Sequence, residues 1–490
     1  MMQRARLLAA LWLVACAPPA AQPNRGVPAD VQACEYDVDV TAARPLRLEV
    51  RAHCRGRAVR GLESDDDRIA DAIGAVHSDH GETRRQQATF LLDGAHSDVT
   101  FRYALDLDRL AAQSGHADLA HRSAESLIAP SSSFLLYPWP LDVGIPTEVR
   151  VRTPPGVDFA TGLSAEGDHY RLEAHEIPVS TYSAFGALRR ARIELDAGRA
   201  SIDLVLLDGG LGVGFGELSE WARRRAEAVS NFYGGFPAPH TALFVVPIER
   251  RHDVVFGNLR PESSPGIALL LGARADTRAL DEDWVLVHEL FHIGVPSFHA
   301  EGKWFDEGLA TYLEPIIRVR AGLLDPLQAW REFALEMPRG ARALTRDGLE
   351  RSDEMYWGGA TFCLLADVEA RRLSQGRLGL EDGVRNVLRA GGNASEVWPL
   401  EKTLRIADQV YPKPVLVPLW QRYAQQPAAF ELEQLFRELG VERAASGIAL
   451  VESAPLAWVR HAIFEAKHPV SASTPRADEP RARGGPHAAR

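Results

Sequence analysis

One stretch of the chain, His288-Glu289-Leu290-Phe291-His292, has the residue types and spacing that metal-assisted hydrolysis requires. On a helix, residues i and i+4 share a face one turn apart. Two imidazoles so placed reach a single zinc ion at about 2.0–2.1 Å. Glu289 lies between them in sequence but is rotated away, so it flanks the ion and can take a proton from water held there. The preceding run Trp284-Val285-Leu286-Val287 is apolar and suits a buried helix. A purely structural zinc site usually closes with four Cys or His ligands and has no use for that glutamate. The four cysteines, Cys16, Cys34, Cys54 and Cys363, lie elsewhere.

A third protein ligand must come from outside this stretch, and two residues are open. His299 is one. The metzincin pattern His-Glu-x-x-His-x-x-Gly-x-x-His needs Gly at 295 and His at 298. The chain has Val295 and Phe298, with Gly294 and His299 each displaced by one. Glu307 is the other. Its segment, Trp304-Phe305-Asp306-Glu307-Gly308-Leu309-Ala310-Thr311-Tyr312-Leu313-Glu314, resembles the second metal helix of gluzincin aminopeptidases. These are the membrane alanyl aminopeptidases and, more closely, the glycyl aminopeptidase-like family. The resemblance implies that Glu307 joins His288 and His292 around one Zn2+. The 14 residues between His292 and Glu307 are fewer than in the alanyl type. Downstream, Tyr356-Trp357-Gly358-Gly359 is similar to the Tyr-x-Lys-Gly segment of these families, with Gly358 in place of the lysine. It implies that the Tyr356 hydroxyl stabilises a tetrahedral oxyanion. The resemblance spans residues 35–390 and is strongest at 288–312; no PDZ module, common in the glycyl type, is recognisable.

These families also carry a motif on the strand beside the zinc, Gly-Gly-Leu-Glu-His or Gly-Ala-Met-Glu-Asn, whose glutamate binds a substrate's free α-ammonium. The matching stretch is Gly257-Asn258-Leu259-Arg260-Pro261-Glu262, with Arg260 in the glutamate position. Gly257, Asn258, Arg260 and Glu262 are therefore the candidate substrate-binding residues, Glu262 if the register slips by two. A cation at 260 repels an ammonium and favours a carboxylate or a peptide carbonyl. The resemblance thus implies a zinc metallopeptidase acting on peptides or proteins, with exo- and endo-cleavage both open. The alternatives are a metzincin-like endopeptidase using His299 and a non-catalytic binding lipoprotein with a relic zinc site.

These side chains need a scaffold. Residues 33–208 read mostly as β, in alternating runs such as LRLEVRAHC and SIDLVLLD punctuated by Gly, Pro, Asn and Asp, which predicts a β-sandwich or saddle-shaped sheet domain. The Gly-rich run 209–216 fails the dinucleotide fingerprint, because Glu217 stands at the third glycine position; it reads as a linker. A thermolysin-like catalytic domain is expected over 209–395, a helical region over 396–467 and a disordered tail over 468–490. The fold class expected is α+β and multidomain.

The N-terminus carries Arg4 and Arg6 ahead of the apolar run Leu7–Ala15, the pattern of a signal peptide over residues 1–15. Leu13-Val14-Ala15-Cys16 resembles a bacterial lipobox, which implies cleavage before Cys16, lipidation of that cysteine and a tether over 16–32. Ala17 points to the outer membrane, facing the periplasm. An ordinary secretory signal cut a few residues later is the alternative. In an exported chain, Cys34 and Cys54 are placed for a disulfide, because a hairpin centred on Arg44 sets them opposite each other; two free buried thiols are the alternative. The net charge of −11 with no basic block argues against a nucleic-acid partner. Oligomeric state is not legible.

Overall fold

The computed structural model describes residues 33–465, apart from 115–117, 262–263, 347–348, 350–353, 425–427, 429 and 445–446. The expected signal peptide, Cys16, the tether, Glu262 and the expected C-terminal tail lie outside the described residues.

The N-terminal hairpin Ala33–Ala43 and Leu46–Glu63 shows how the sequence builds the first layer. Tyr36, Val38 and Val40 point inward while Glu35, Asp37 and Asp39 face outward, the alternation of a sheet with one buried face. Cys34 lies directly opposite Cys54 in the register, and their sulfurs are joined, with Cα atoms 4.2 Å apart. The hairpin belongs to a ten-stranded sheet. A four-stranded sheet, ordered Asp158–Thr161, Tyr182–Gly186, Ser126–Pro130, His121–Ser123, packs on it through Leu127, Ala129 and Phe185, which share one core with Tyr36, Val38 and Phe101.

The second sheet system corrects the expected boundary at 208. Leu188–Leu195 and Ala200–Leu207 do not belong with the preceding strands. Ala200–Leu207 pairs in parallel with His240–Ile248, which pairs in parallel with Gly266–Gly272. The resulting five-stranded sheet has Val254–Arg260 as an antiparallel edge strand. The Gly-rich run is therefore a turn inside this unit, between the Ala200–Leu207 strand and the helix Phe215–Tyr233, and not a linker. Local alternation marks a strand but does not say which sheet it joins.

Helices cover this sheet. Val285–His292 carries the His-Glu-x-x-His stretch, Lys303–Arg320 carries Glu307, and Met355–Ser374 begins beside Tyr356. The last two cross at glycines. A Cβ on Gly308 would sit 2.4 Å from the Gly359 Cα, so the close approach of the two backbones needs both residues bare. Tyr312 also donates to Asp367 across the pair at 2.8 Å. Beyond residue 396 the helices Leu400–Asp408, Leu416–Tyr423, Leu432–Leu439 and Ala457–Phe464 join the same core as the five-stranded sheet. This region is not wholly helical: Val441–Ala444 and Gly447–Leu450 form a two-stranded ribbon. Arg371 and Arg320 hold the last helix by donating to the Ala462 and Ile463 carbonyls at 2.8 and 2.7 Å. Among the described residues, no helix is long and apolar enough to cross a membrane.

Candidate metal centre

The helix Val285–His292 is fixed at its start by Asp283, whose carboxylate accepts from the Val285 and Leu286 amides at 2.9 and 3.2 Å. These are amide donors that the helix itself leaves without partners. Buried Arg318, paired to Glu314 at 3.0 Å, reaches from the second helix to the Glu282 carbonyl. The two helices thus meet at a fixed angle, and the second turn of Lys303–Arg320 delivers Glu307 to the histidines.

The donor atoms converge. His288 Nε2 lies 3.2 Å from His292 Nε2 and 3.3 Å from Glu307 Oε2, and His292 Nε2 lies 3.7 Å from Glu307 Oε2. Ligands at about 2.0–2.1 Å from a tetrahedral zinc sit about 3.4 Å from one another, so this spacing suits one ion. Among the described residues, His288, His292 and Glu307 form the one group of His, Cys, Asp and Glu side chains gathered closely enough to hold a metal. The chemistry of the pocket points the same way. Burial works against a charged His292 ring, yet Asp306, Glu307 and Glu289 outweigh it and lift its pKa to about 9. A pocket this anionic favours a bound cation.

His299 is exposed and stands outside this group, which corrects the metzincin-like alternative. The chain leaves the first helix at Ile293, passes His299 at the surface, and returns through a 3-10 turn at Ala300–Gly302. The return brings Glu307, and not His299, over the histidine pair.

Glu289 is half-buried, and its Oε2 accepts the Leu259 amide of the edge strand at 2.9 Å. Burial raises its pKa, with His288 and His292 pulling the other way. Gly257 makes this approach possible, because a Cβ there would lie 2.6 Å from Glu289 Cγ and 2.8 Å from Val285 Cγ1. Tyr356 stands beside the cluster, its ring centre 6.4 Å from that of His288. Burial, then the Glu307 and Glu289 charges, raise its pKa, so the phenol keeps its proton and remains a donor. Asn258 and Arg260 face the β domain: Asn258 donates to the Tyr182 hydroxyl at 2.6 Å, and Arg260 donates to the Ser180 carbonyl at 3.3 Å.

Asp306 was not singled out by the sequence, although it adjoins Glu307 in the same motif. Its Oδ1 lies 2.9 Å from His292 Nδ1, and its Oδ2 accepts from Lys303 at 3.1 Å. Burial alone would raise its pKa, but His292 and Lys303 bring it down to about 2. A carboxylate only accepts, so Nδ1 carries the ring proton and Nε2 is left as the ligand. Among the described residues no comparable partner serves His288, whose Nδ1 is buried without a hydrogen bond. Asp306→Asn is expected to weaken zinc binding about 10–100-fold, measured by competition with a chromogenic chelator; an unchanged affinity would remove this role from Asp306.

No protein-family model and no curated protein matches the chain in sequence. Solved structures match its fold. An aminopeptidase N family protein from Idiomarina loihiensis is 14% identical, with a TM-score of 0.66 over 86% of this chain and 82% of that one. A mutant M1 zinc metallopeptidase from Deinococcus radiodurans, bound to a Tyr-Ser-Ala substrate, is 14% identical with a TM-score of 0.51 over 82% and 95%. A two-domain M1 zinc metallopeptidase mutant bound to L-tryptophan is 15% identical with a TM-score of 0.50 over 84% and 98%. The chain therefore has an α+β, multidomain fold of the kind seen in M1 zinc metallopeptidases.

Proposed function

We propose that the protein is a gluzincin-type zinc metallopeptidase that hydrolyses peptide bonds and is lipid-anchored in the bacterial cell envelope. One observation carries the reading: the imidazoles of His288 and His292 and the Glu307 carboxylate converge at metal-ligand spacing beside a half-buried, hydrogen-bonded Glu289. When bound, zinc supplies a Lewis acid that polarises a carbonyl and lowers the pKa of a bound water towards about 7. The chain does the rest. The Leu259 amide holds Glu289 Oε2, so Oε1 is free to take a proton from the attacking water and pass it to the leaving amine. Burial makes Glu289 a stronger base than an exposed glutamate. The Tyr356 phenol donates to the oxygen on which negative charge develops. The anchor is lipid on Cys16, supported by the Leu13-Val14-Ala15-Cys16 sequence, and the location is the outer membrane facing the periplasm.

The test is hydrolysis of a quenched peptide mixture by the zinc-loaded protein. Turnover is expected to disappear on chelation and to return with added zinc. A protein that holds about one zinc and cleaves no peptide would contradict the reading.

A further inference from the structure

The edge strand ends on Arg260, one residue beyond the Leu259 amide that holds Glu289. Among the described residues this strand pairs only with Gly266–Gly272, so its other edge is open beside the metal cluster. The Arg260 guanidinium is half-buried and poorly satisfied. It donates to the Ser180 carbonyl at a long 3.3 Å and lies over the Tyr182 ring, 5.5 Å from its centre. Its Nε is buried without a partner, and a guanidinium has five N–H donors to place.

Three sheltered arginines elsewhere in the fold are paired, whereas buried Arg225, among the described residues, has no carboxylate at ion-pair distance and donates instead to the Leu280 carbonyl at 2.6 Å. Arg318 holds Glu314 at 3.0 Å, Arg320 holds Glu381 at 2.9 Å, and Arg371 holds Asp367 at 2.9 Å. Arg260 has no carboxylate at ion-pair distance among the described residues. Asp65 senses its charge from farther off, pulled down by Arg260 against a larger upward push from burial. Buried charges are ordinarily paired, because an uncompensated one is costly. The cation is also held in place: Tyr182 is fully buried, takes the Asn258 amide on its hydroxyl, and supports the guanidinium with its ring.

We infer that Arg260 forms an anion subsite that takes a carboxylate of the peptide substrate close to the scissile bond. This rests on the peptidase reading above and specifies its substrate class. A guanidinium pairs with a carboxylate through short, charge-assisted hydrogen bonds and repels an ammonium in the same place. The carboxylate comes from an acidic side chain or from the end of the peptide.

The experiment uses the zinc-loaded protein and quenched peptides that carry Glu, Gln or Lys on either side of the scissile bond, each with an amidated C-terminus. A neutral peptide is added in free-acid and amidated forms. In the parent, a carboxylate substrate is expected to be cleaved about tenfold more efficiently than its neutral match, chiefly through KM, and the Lys peptide less well than either. Preference for Glu over Gln assigns the subsite to an acidic side chain; preference for the free acid over the amide assigns it to the peptide's end. Arg260→Gln is expected to collapse the preference towards one, and Arg260→Lys to keep part of it. Equal cleavage of charged and neutral matches by the parent, or a preference that survives Arg260→Gln, would overturn the subsite. Loss of hydrolysis with every peptide looks different: it removes the peptidase reading, and the subsite with it.

Discussion

A Glu289→Gln variant is expected to keep its zinc and to lose about 10²–10⁴-fold in kcat. The substitution preserves shape, and the amide oxygen can still accept the Leu259 N–H that Glu289 Oε2 now takes at 2.9 Å. Glu289 is not one of the three converging ligands, so metal binding has no reason to change. Basicity is what is lost, because an amide cannot accept a proton from water and return it to a leaving amine. The readouts are zinc per chain and single-turnover hydrolysis, taken on the same preparation. Full turnover with zinc retained would show that proton transfer runs through another group.

Glu307→Ala is expected to abolish both zinc binding at micromolar free metal and hydrolysis. Two imidazoles remain, but the buried oxygen that lies 3.3 Å from His288 Nε2 is gone. Three protein ligands are the usual minimum for a catalytic zinc. Removal of the anion also costs the ion a full unit of counter-charge inside a buried site, where such charges act strongly. A chelator titration reads the affinity directly. Thermal unfolding without metal serves as the control for folding, since Glu307 directly precedes Gly308, where the two helices cross at Gly359.

Local spacing made part of this legible. His288, Glu289 and His292 lie within one helical turn and a residue, so their shared face followed from the sequence. Cys34 and Cys54 were legible for a similar reason, as hairpin partners are symmetric about their turn. The turn itself is centred half a residue later than Arg44, between Arg44 and Pro45, and a bulge at Thr41 restores the register before the cysteines are reached. Features that depend on distant chain were not legible. Nothing in Ala200–Leu207 says that its parallel neighbour is His240–Ile248, and so the boundary fell at the wrong strand. Asp306 could be read as part of a helix, but its meeting with His292 Nδ1 depends on how two helices cross. Arg260 was visible as a cation in an unexpected place. Its support by Ser180 and Tyr182, some 80 residues earlier in the chain, needed the fold. The ribbon Val441–Ala444 with Gly447–Leu450 interrupts a region whose apolar periodicity is otherwise helical, and such short strands carry little periodic signal.

The central claim is that one zinc is held by His288, His292 and Glu307. Elemental analysis of zinc per chain tests it most directly, on the protein expressed without residues 1–16 and on its Glu307→Ala and His299→Ala variants. About one zinc is expected in the parent, about one in His299→Ala and none in Glu307→Ala. Zinc lost with His299→Ala and kept with Glu307→Ala, or no zinc in a parent reconstituted with excess metal, would contradict it.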